Sequence, residues 1–475
     1  MATVDIPEDT VLFTIPRKAI ISVESSELSR RIPDVFKDST TALEDADNEA
    51  DEEGDDTGVT PDAWVSLILV MIYEHLQGDK SPWKPYLDIL PKEFDTLMFW
   101  SESELSELQA SSIVSKIGKD EAENMFRAKI LPVIQAHADV FYPDGVQRLD
   151  EDQLIALCHR MGSTIMAYAF DLENEEEKLD AENGDDEWVE DKEGRLAMGM
   201  VPMADILNAD VIFNVSFAFQ ASPRTLADHV QAHINHGEDS LTATSLRPIA
   251  AGEEVLNHYG ALGNGELLRR YGYVTELHGR YDVVEISWEL VLSVLKETLN
   301  LDDTTWGKIV RSGPHDLGYL NTDPSQINHL DPEEIEDTFV LDRDLEAPDS
   351  TGQLQDELNV TKLPEDLEGQ LAAFLKLVRK ASPETIPDKR KRDHLLLTVA
   401  KRVFELRASQ YATDFSHDSN ELLVKKTGRY QKAVTVRWGE KILLLEATLF
   451  ARKKLEAMDM DAGDDAHAAK RQRTK

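Results

Sequence analysis

The apolar positions follow two different periods along this chain. At its start, Val11-Leu12-Phe13-Thr14-Ile15 and Ala19-Ile20-Ile21-Ser22-Val23 read as β-strands joined through Pro16-Arg17-Lys18. From Pro61 the period becomes helical, with Trp64, Leu67, Ile68, Met71, Ile72 and Leu76 on one face. Ser81-Pro82-Trp83-Lys84-Pro85-Tyr86-Leu87 is a rigid connector, and helices are predicted near Ser103, from Glu121 through His137, and from Gln153 to Phe170. The last of these carries Leu154, Leu157, Met161, Ile165 and Tyr168, most simply as core. Strands return at Phe213–Gln220 and Ser240–Arg247. Beyond about Tyr281, sets such as Leu371, Phe374, Leu375 and Val378, or Leu396, Val399, Val403 and Leu406, mark amphipathic helices as far as Met458.

The pattern predicts an α+β fold of small sheets with a helical insertion, followed by an all-α domain. The expected boundaries are 1–38 for the first β part, 39–60 for a linker and 61–157 for the insertion. The second β part takes 158–276, the helical domain 277–458 and a basic tail 459–475. The helical domain shows no catalytic constellation, which makes an interaction surface its expected role.

Charge changes this picture in two places. The 475 residues carry a formal net charge of −41, unevenly spread. Leu43–Asp56 holds nine carboxylates and no base, and the acidic loop 171–194 holds thirteen against two lysines. Both are expected to be solvated insertions that keep the protein soluble or steer a basic partner. Direct binding of nucleic acid is disfavoured, because such runs repel phosphates. A single cysteine, Cys158, rules out an intrachain disulfide and a thiolate zinc site, and points to a reducing compartment. There is no signal-peptide core and no apolar run near membrane length, so no membrane partner is expected. Lys389-Arg390-Lys391-Arg392 and Lys470-Arg471-Gln472-Arg473-Thr474-Lys475 are either solvated bases or nuclear import signals, which suggests the nucleus and also allows the cytoplasm.

Candidate chemistry is concentrated in two stretches. Val255-Leu256 stops at Asn257-His258-Tyr259-Gly260, and a Gly/Asn loop leads to a helix with Leu267, Leu268 and Tyr271, closed by Gly272. This brings one tyrosine to a strand end and a second to the helix behind it. Two phenols so placed can line a narrow pocket, although buried tyrosines with satisfied hydroxyls are commoner than catalytic ones. In Val201-Pro202-Met203-Ala204-Asp205-Ile206-Leu207-Asn208-Ala209-Asp210, the polar Asp205 and Asn208 sit in an apolar run and need hydrogen-bond partners once buried. They either cap a helical turn or bind a polar ligand. His229, His233 and His236 have helical metal spacing, but no cysteine or glutamate completes a site, so exposed histidines and no metal are expected.

In order and spacing, four segments resemble the SET-domain protein-lysine methyltransferases of the Rubisco large-subunit methyltransferase type. They are Leu12–Arg17, Ser81–Leu87, Val201–Asn208, and Asn257–Gly260 with Glu266–Gly272. The Asn208-Ala209-Asp210 ending and the Leu-Leu-Arg-Arg-Tyr-Gly helix look most like the fungal ribosomal lysine methyltransferases within that family. The resemblance implies a SET fold, a helical substrate-binding domain, and S-adenosyl-L-methionine as methyl donor. By the same resemblance, Asn208 and the Ala209 backbone would hold the donor with Tyr168 against it. Tyr259 would be the active-site tyrosine, Tyr271 would line the lysine channel, and Asp205 would orient the site or the incoming lysine. Family members carry a Gly-x-Gly strand just before the segment matching Ala2–Ile6, and this chain starts after it; a lost first exon is the expectation. The expected activity is methylation of a basic protein, ribosomal or histone-like. The competing expectation is a SET-like acidic module that holds such proteins without modifying them. Substrate lysine, methylation degree and oligomeric state are not encoded in any of these patterns.

Overall fold

The computed structural model describes residues 1–36, 63–172, 198–220, 240–312, 336–345, 354, 359–424 and 427–473. The acidic linker, the acidic loop from residue 173, and His229, His233 and His236 lie outside the described residues.

Three strands make the largest sheet: β1 (Val11–Pro16), β4 (Val215–Gln220) and β5 (Ser240–Ser245), antiparallel in the order β1-β5-β4. Phe13 and Phe217 both pair with Ala243, while Ile15 pairs with Leu241. Successive strand side chains point to opposite faces, which places Ile15 and Leu241 in a small core with Ile20, Leu172, Val201 and Ala204. A second, two-stranded ribbon pairs β2 (Ala169–Asp171) with β3 (Met198–Met200). Gly199 has to be glycine, since a Cβ there would lie 2.7 Å from Ile20 Cγ2 and 3.0 Å from the Ile21 carbonyl.

Ala19–Val23 is not the second strand that its apolar run suggested. Arg17–Ala19 forms a 3-10 turn, and Ile21 makes only an isolated bridge to Met200. Ser25 Oγ donates to the Ile20 carbonyl at 2.6 Å and accepts from the Ser22 N–H at 2.9 Å, so the serines turn the backbone while Ile20 and Ile21 stay fully buried. Likewise Val255-Leu256 forms no strand; the contact there is a parallel bridge between Ala209 and Asn257.

The insertion packs around α1 (Ala63–Gln77), whose Val65–Glu74 run is buried, against α2 (Glu151–Tyr168). Asp150 and Gln153 close a capping box that starts α2, and α2 ends where β2 begins. The amphipathic α3 (Asn264–Tyr271) ends on Gly272, whose φ of +78° is the left-handed C-cap conformation.

The C-terminal domain is built from α4 (Trp288–Leu299), α5 (Asp303–Ser312), α6 (Glu365–Ala381), α7 (Lys389–Ser409), α8 (Phe415–Leu423) and α9 (Arg429–Arg473). Its helices enclose a core of Leu295, Leu371, Leu375, Val399, Val403 and Phe404 among others. A short ribbon of β6 (Val284–Ser287) and β7 (Thr338–Leu341) also belongs to this core, through Val284, Ile286, Phe339 and Leu341. Buried polar contacts tie the domain to the insertion. Arg437 binds Asp418 at 3.0 Å, both almost sealed from solvent, and also reaches the Glu107 carbonyl. Arg407 donates to the Ala110 carbonyl at 2.8 Å, and Ser111 Oγ to Glu440 at 2.6 Å. No helix among the described residues is long and apolar enough to cross a membrane.

Candidate active site

The loop after β3 carries the first wall of the site. Val201 and Ala204 are fully buried and fix the loop to the small core. Between them Met203 adopts φ +82°, a conformation a side chain rarely takes, and Ala204–Ile206 closes a 3-10 turn. That turn aims Asp205 inward. Its Oδ2 accepts a 2.7 Å hydrogen bond from the Tyr86 hydroxyl, supplied by the Lys84–Ile89 helix of the insertion. Its Oδ1 is sealed from solvent and has no hydrogen-bond partner. Burial raises the Asp205 carboxyl above the usual range, and the Tyr86 bond and the nearby backbone N–H groups of Asp205 and Met203 partly offset this.

The second wall comes from the Asn257–Tyr259 segment. Asn214, fully buried, aligns it. Its side-chain Oδ1 accepts from the Leu256 N–H at 2.8 Å, and its Nδ2 donates to the Glu254 carbonyl at 2.8 Å. The Asn257 N–H donates to the Asn208 carbonyl at 2.8 Å, and the Asp210 N–H to the Asn257 carbonyl at 3.2 Å. The two segments therefore lie side by side, and the Tyr259 hydroxyl donates to the Leu207 carbonyl at 2.9 Å. Tyr271 stacks on Tyr259 with ring centroids 4.8 Å apart and 22° between planes, and Tyr273 lies 6.2 Å beyond Tyr271. Burial pushes the Tyr259 phenol above its normal range, so it stays protonated; Tyr273 is pushed up to about 12.

These walls enclose a cavity of about 240 Å³ lined by Tyr168, Asp205, Asn257, His258, Tyr259 and Tyr271 among others. His258 stacks on Phe213 at 4.5 Å, and burial lowers its pKa, which keeps the imidazole neutral. The lining thus combines phenol faces, neutral polar groups and an unpaired carboxylate oxygen. Such a lining suits a small cation, because aromatic faces and a carboxylate both attract positive charge. A larger cleft of about 880 Å³ lies between the insertion and the first β part, with Arg30, Arg31, Tyr73, Trp83 and Tyr86 in its walls. Tyr86 borders this cleft and bonds Asp205 of the small cavity.

Of the residues singled out in the sequence, Tyr168, Asp205, Tyr259 and Tyr271 come together. Asn208 and Ala209 do not line the cavity. Asn208 is exposed and its Nδ2 donates to Glu254 Oε1 at 2.8 Å, while the backbone of both residues carries the pairing with Asn257. Sequence reasoning gave no role to Tyr86 or Asn214. Tyr86 stood inside the Ser81–Leu87 segment, yet its partner is 119 residues away. Among the described residues no group of three His, Cys, Asp or Glu side chains could hold a metal.

Comparison with known proteins agrees with this geometry. The chain is 31% identical over 302 residues to ribosomal lysine N-methyltransferase 4 of Saccharomyces cerevisiae, a match covering 63% of this chain and 53% of that one. It is 31% identical over 280 residues to N-lysine methyltransferase setd6 of Danio rerio, covering 58% and 49%. The chain therefore spans about half the length of the curated relatives it matches. A solved structure of Rubisco LSMT bound to AdoMet superposes with a TM-score of 0.54 at 19% identity, over 97% of this chain and 86% of that one. The SET domain of LSMT bound to lysine and AdoHcy gives a TM-score of 0.56 at 18% identity, over 96% and 85%. These likenesses show the shared fold, helical C-terminal region included. The SET domain pattern itself matches residues 1–260, from the first β part through the Tyr259 turn, and the chain belongs to the SET domain family.

Proposed function

We propose that this protein is an S-adenosylmethionine-dependent protein-lysine N-methyltransferase whose substrate is a basic ribosomal protein. The observation that carries the reading is the Asp205 Oδ1 atom, buried and unpartnered on a residue that lines a cavity walled by three tyrosines. A buried polar atom left without a partner costs about 1–3 kcal/mol, so it marks a place where a ligand donor is missing. The ε-ammonium of a lysine has the right charge, size and donors.

When bound, the donor supplies an electrophilic methyl group on a sulfonium. The residues of the chain do the rest. The Tyr259 hydroxyl commits its proton to Leu207 and thereby turns its oxygen lone pairs to the cavity, where they can accept from the amine and stabilise the partial positive charge of the methyl group. Tyr168 and Tyr271 exclude water around the lysine nitrogen, whose unperturbed pKa is about 10.4, so that the ammonium drawn in by the lining must lose a proton before it can attack. Alignment and preorganised dipoles, not a metal or a nucleophile, would account for the acceleration. The backbone pairing of Asn208-Ala209 with Asn257 fits a rigid donor-side edge. The net charge of −41 favours a basic partner. A nuclear address is part of the reading, on the strength of the exposed Lys389–Lys391 bases at the start of α7.

The test is titration of S-adenosylmethionine into the protein, followed by mass spectrometry of ribosomal proteins incubated with it. Saturable uptake with a lysine 14 Da heavier, about the mass of one CH₂ as methyl replaces hydrogen, is the expected result. Uptake with no modified lysine leaves the non-catalytic binder; no uptake removes the enzyme reading.

A further inference from the structure

We propose that Asp205 is the general base that takes the proton from the incoming lysine, with Tyr86 as the residue that positions it. This rests on the methyltransferase reading above and adds to it a proton acceptor that the tyrosines cannot supply.

An ammonium has no lone pair, so transfer must wait until one N–H proton has left. Burial holds the Tyr168 and Tyr259 phenols protonated, and Tyr259 already donates its proton to Leu207. His258 is neutral, and its Nε2 is also buried without a hydrogen-bond partner, but its ring is stacked on Phe213 and it carries no negative charge to hold an ammonium. Among the described lining residues, Asp205 is the carboxylate with a buried oxygen that has no hydrogen-bond partner. Among the described residues, the titratable groups around it are Tyr86, Tyr168, Tyr259, Tyr271, His258 and Asp171, and none of these is a cation that would compete for its charge at neutral pH.

The step balances simply. The ε-N–H bond breaks and its electrons stay on nitrogen as the lone pair; the proton forms an O–H bond on Asp205 Oδ1. The ammonium becomes an amine and the carboxylate a carboxylic acid. Throughout, the Tyr86 hydroxyl donates to Oδ2, fixing the carboxyl plane and leaving Oδ1 as the oxygen without a hydrogen-bond partner. Because Tyr86 also borders the large cleft, it stands between the base and bulk water. A base works best with a pKa near the working pH, and burial moves a carboxyl in that direction.

The experiment compares wild type, Asp205→Asn and Tyr86→Phe, each checked for an unchanged thermal midpoint. Without any donor present, binding of a lysine peptide is compared with its norleucine analogue by fluorescence anisotropy. Wild type should prefer lysine about tenfold or more, the size of one charge-assisted hydrogen bond, and Asp205→Asn should lose the preference. With donor present, the pH profile of kcat/KM decides the role. Wild type should level off above the carboxyl pKa. Asp205→Asn should instead climb about tenfold per pH unit toward the lysine pKa of about 10.4, because only pre-formed amine reacts. Tyr86→Phe removes a bond that lowers the Asp205 pKa, so its acid limb should move to higher pH. A wild-type profile in Asp205→Asn overturns the base while leaving the methyltransferase reading intact. A wild-type protein that transfers no methyl group to any lysine overturns both.

Discussion

Replacing Tyr259 by phenylalanine removes one oxygen and leaves the ring, its stack on Tyr271 and its burial in place. The lost hydroxyl makes a single hydrogen bond, 2.9 Å to the Leu207 carbonyl. A neutral bond of this kind contributes about 1 kcal/mol net, so the variant should melt about 2–4 °C lower than wild type. The effect on turnover should be far larger. A preorganised group aimed at developing charge is worth about 100- to 1000-fold in kcat when deleted, and the Tyr259 phenol lines the cavity while anchored on the loop that also carries Asp205. The assay is radiolabelled methyl transfer to purified ribosomal proteins, with donor affinity measured in parallel by calorimetry. The expected outcome is loss of turnover with donor binding still measurable. Activity within about threefold of wild type, less than 1 kcal/mol of barrier, would refute the reasoning and take Tyr259 out of the mechanism.

Other predictions bear on the frame around the cavity. Asn214→Ala removes the side chain that fixes Leu256 and Glu254, leaving buried backbone groups unpaired; it should cost about 2–4 kcal/mol in denaturant unfolding. Gly199→Ala forces a methyl group against Ile20, Leu172 and the Ile21 carbonyl, and soluble yield at 37 °C, roughly a mesophile working temperature, should fall sharply. Arg437→Ala leaves the buried Asp418 carboxylate with one cation, Lys441, and the Thr413 hydroxyl; a loss of about 3–5 kcal/mol is expected by urea titration. Burial pushes the Asp282 carboxyl up to about 8 and Glu440 up to about 7. A carboxyl whose folded pKa is raised holds its proton in the folded state after the unfolded chain has released it. Its contribution is therefore intact below the unfolded pKa of about 4 and is lost as pH rises toward 8. The thermal midpoint should fall across that window, and Asp282→Asn should flatten the fall; a midpoint constant from pH 5 to pH 8, about the span between the two pKa values, contradicts the assignment.

Where sequence periodicity had a long run to work with, it located the elements well. The α1 face from Trp64 to Leu76, the α2 face from Leu154 to Tyr168, and the alternation in β1, β4 and β5 all gave the element that formed. It failed where side chains competed with the period. Ile20 and Ile21 are apolar because they are core, while Ser22 and Ser25 turn the backbone they sit on. The β6–β7 ribbon escaped notice because four-residue strands flanking a helix have too short an alternation, and β7 is some fifty residues downstream. The family resemblance named Tyr259, Tyr271, Asp205 and Tyr168, and these four residues line one cavity. It did not foretell that Asn208 would turn its amide outward to Glu254, which depends on the parallel bridge of Ala209 with Asn257. Nor could it pair Tyr86 with Asp205, a contact that exists only once the insertion has folded back.

The cap on α3 has a consequence for how this protein can be divided. Gly272 is in contact with the Asp95 backbone, and its carbonyl accepts from Lys432 Nζ at 2.5 Å, while Lys432 and Arg429 at the start of α9 both pair with Asp95. One residue upstream of that glycine is the ring that stacks on Tyr259. The long terminal helix therefore acts as a splint for the aromatic wall, although no part of it enters the cavity. Cutting the chain after the last SET strand would free the splinted end, and the two rings would lose their fixed spacing. The spacing of the aromatic wall and the helical domain are, in this molecule, mechanically one unit.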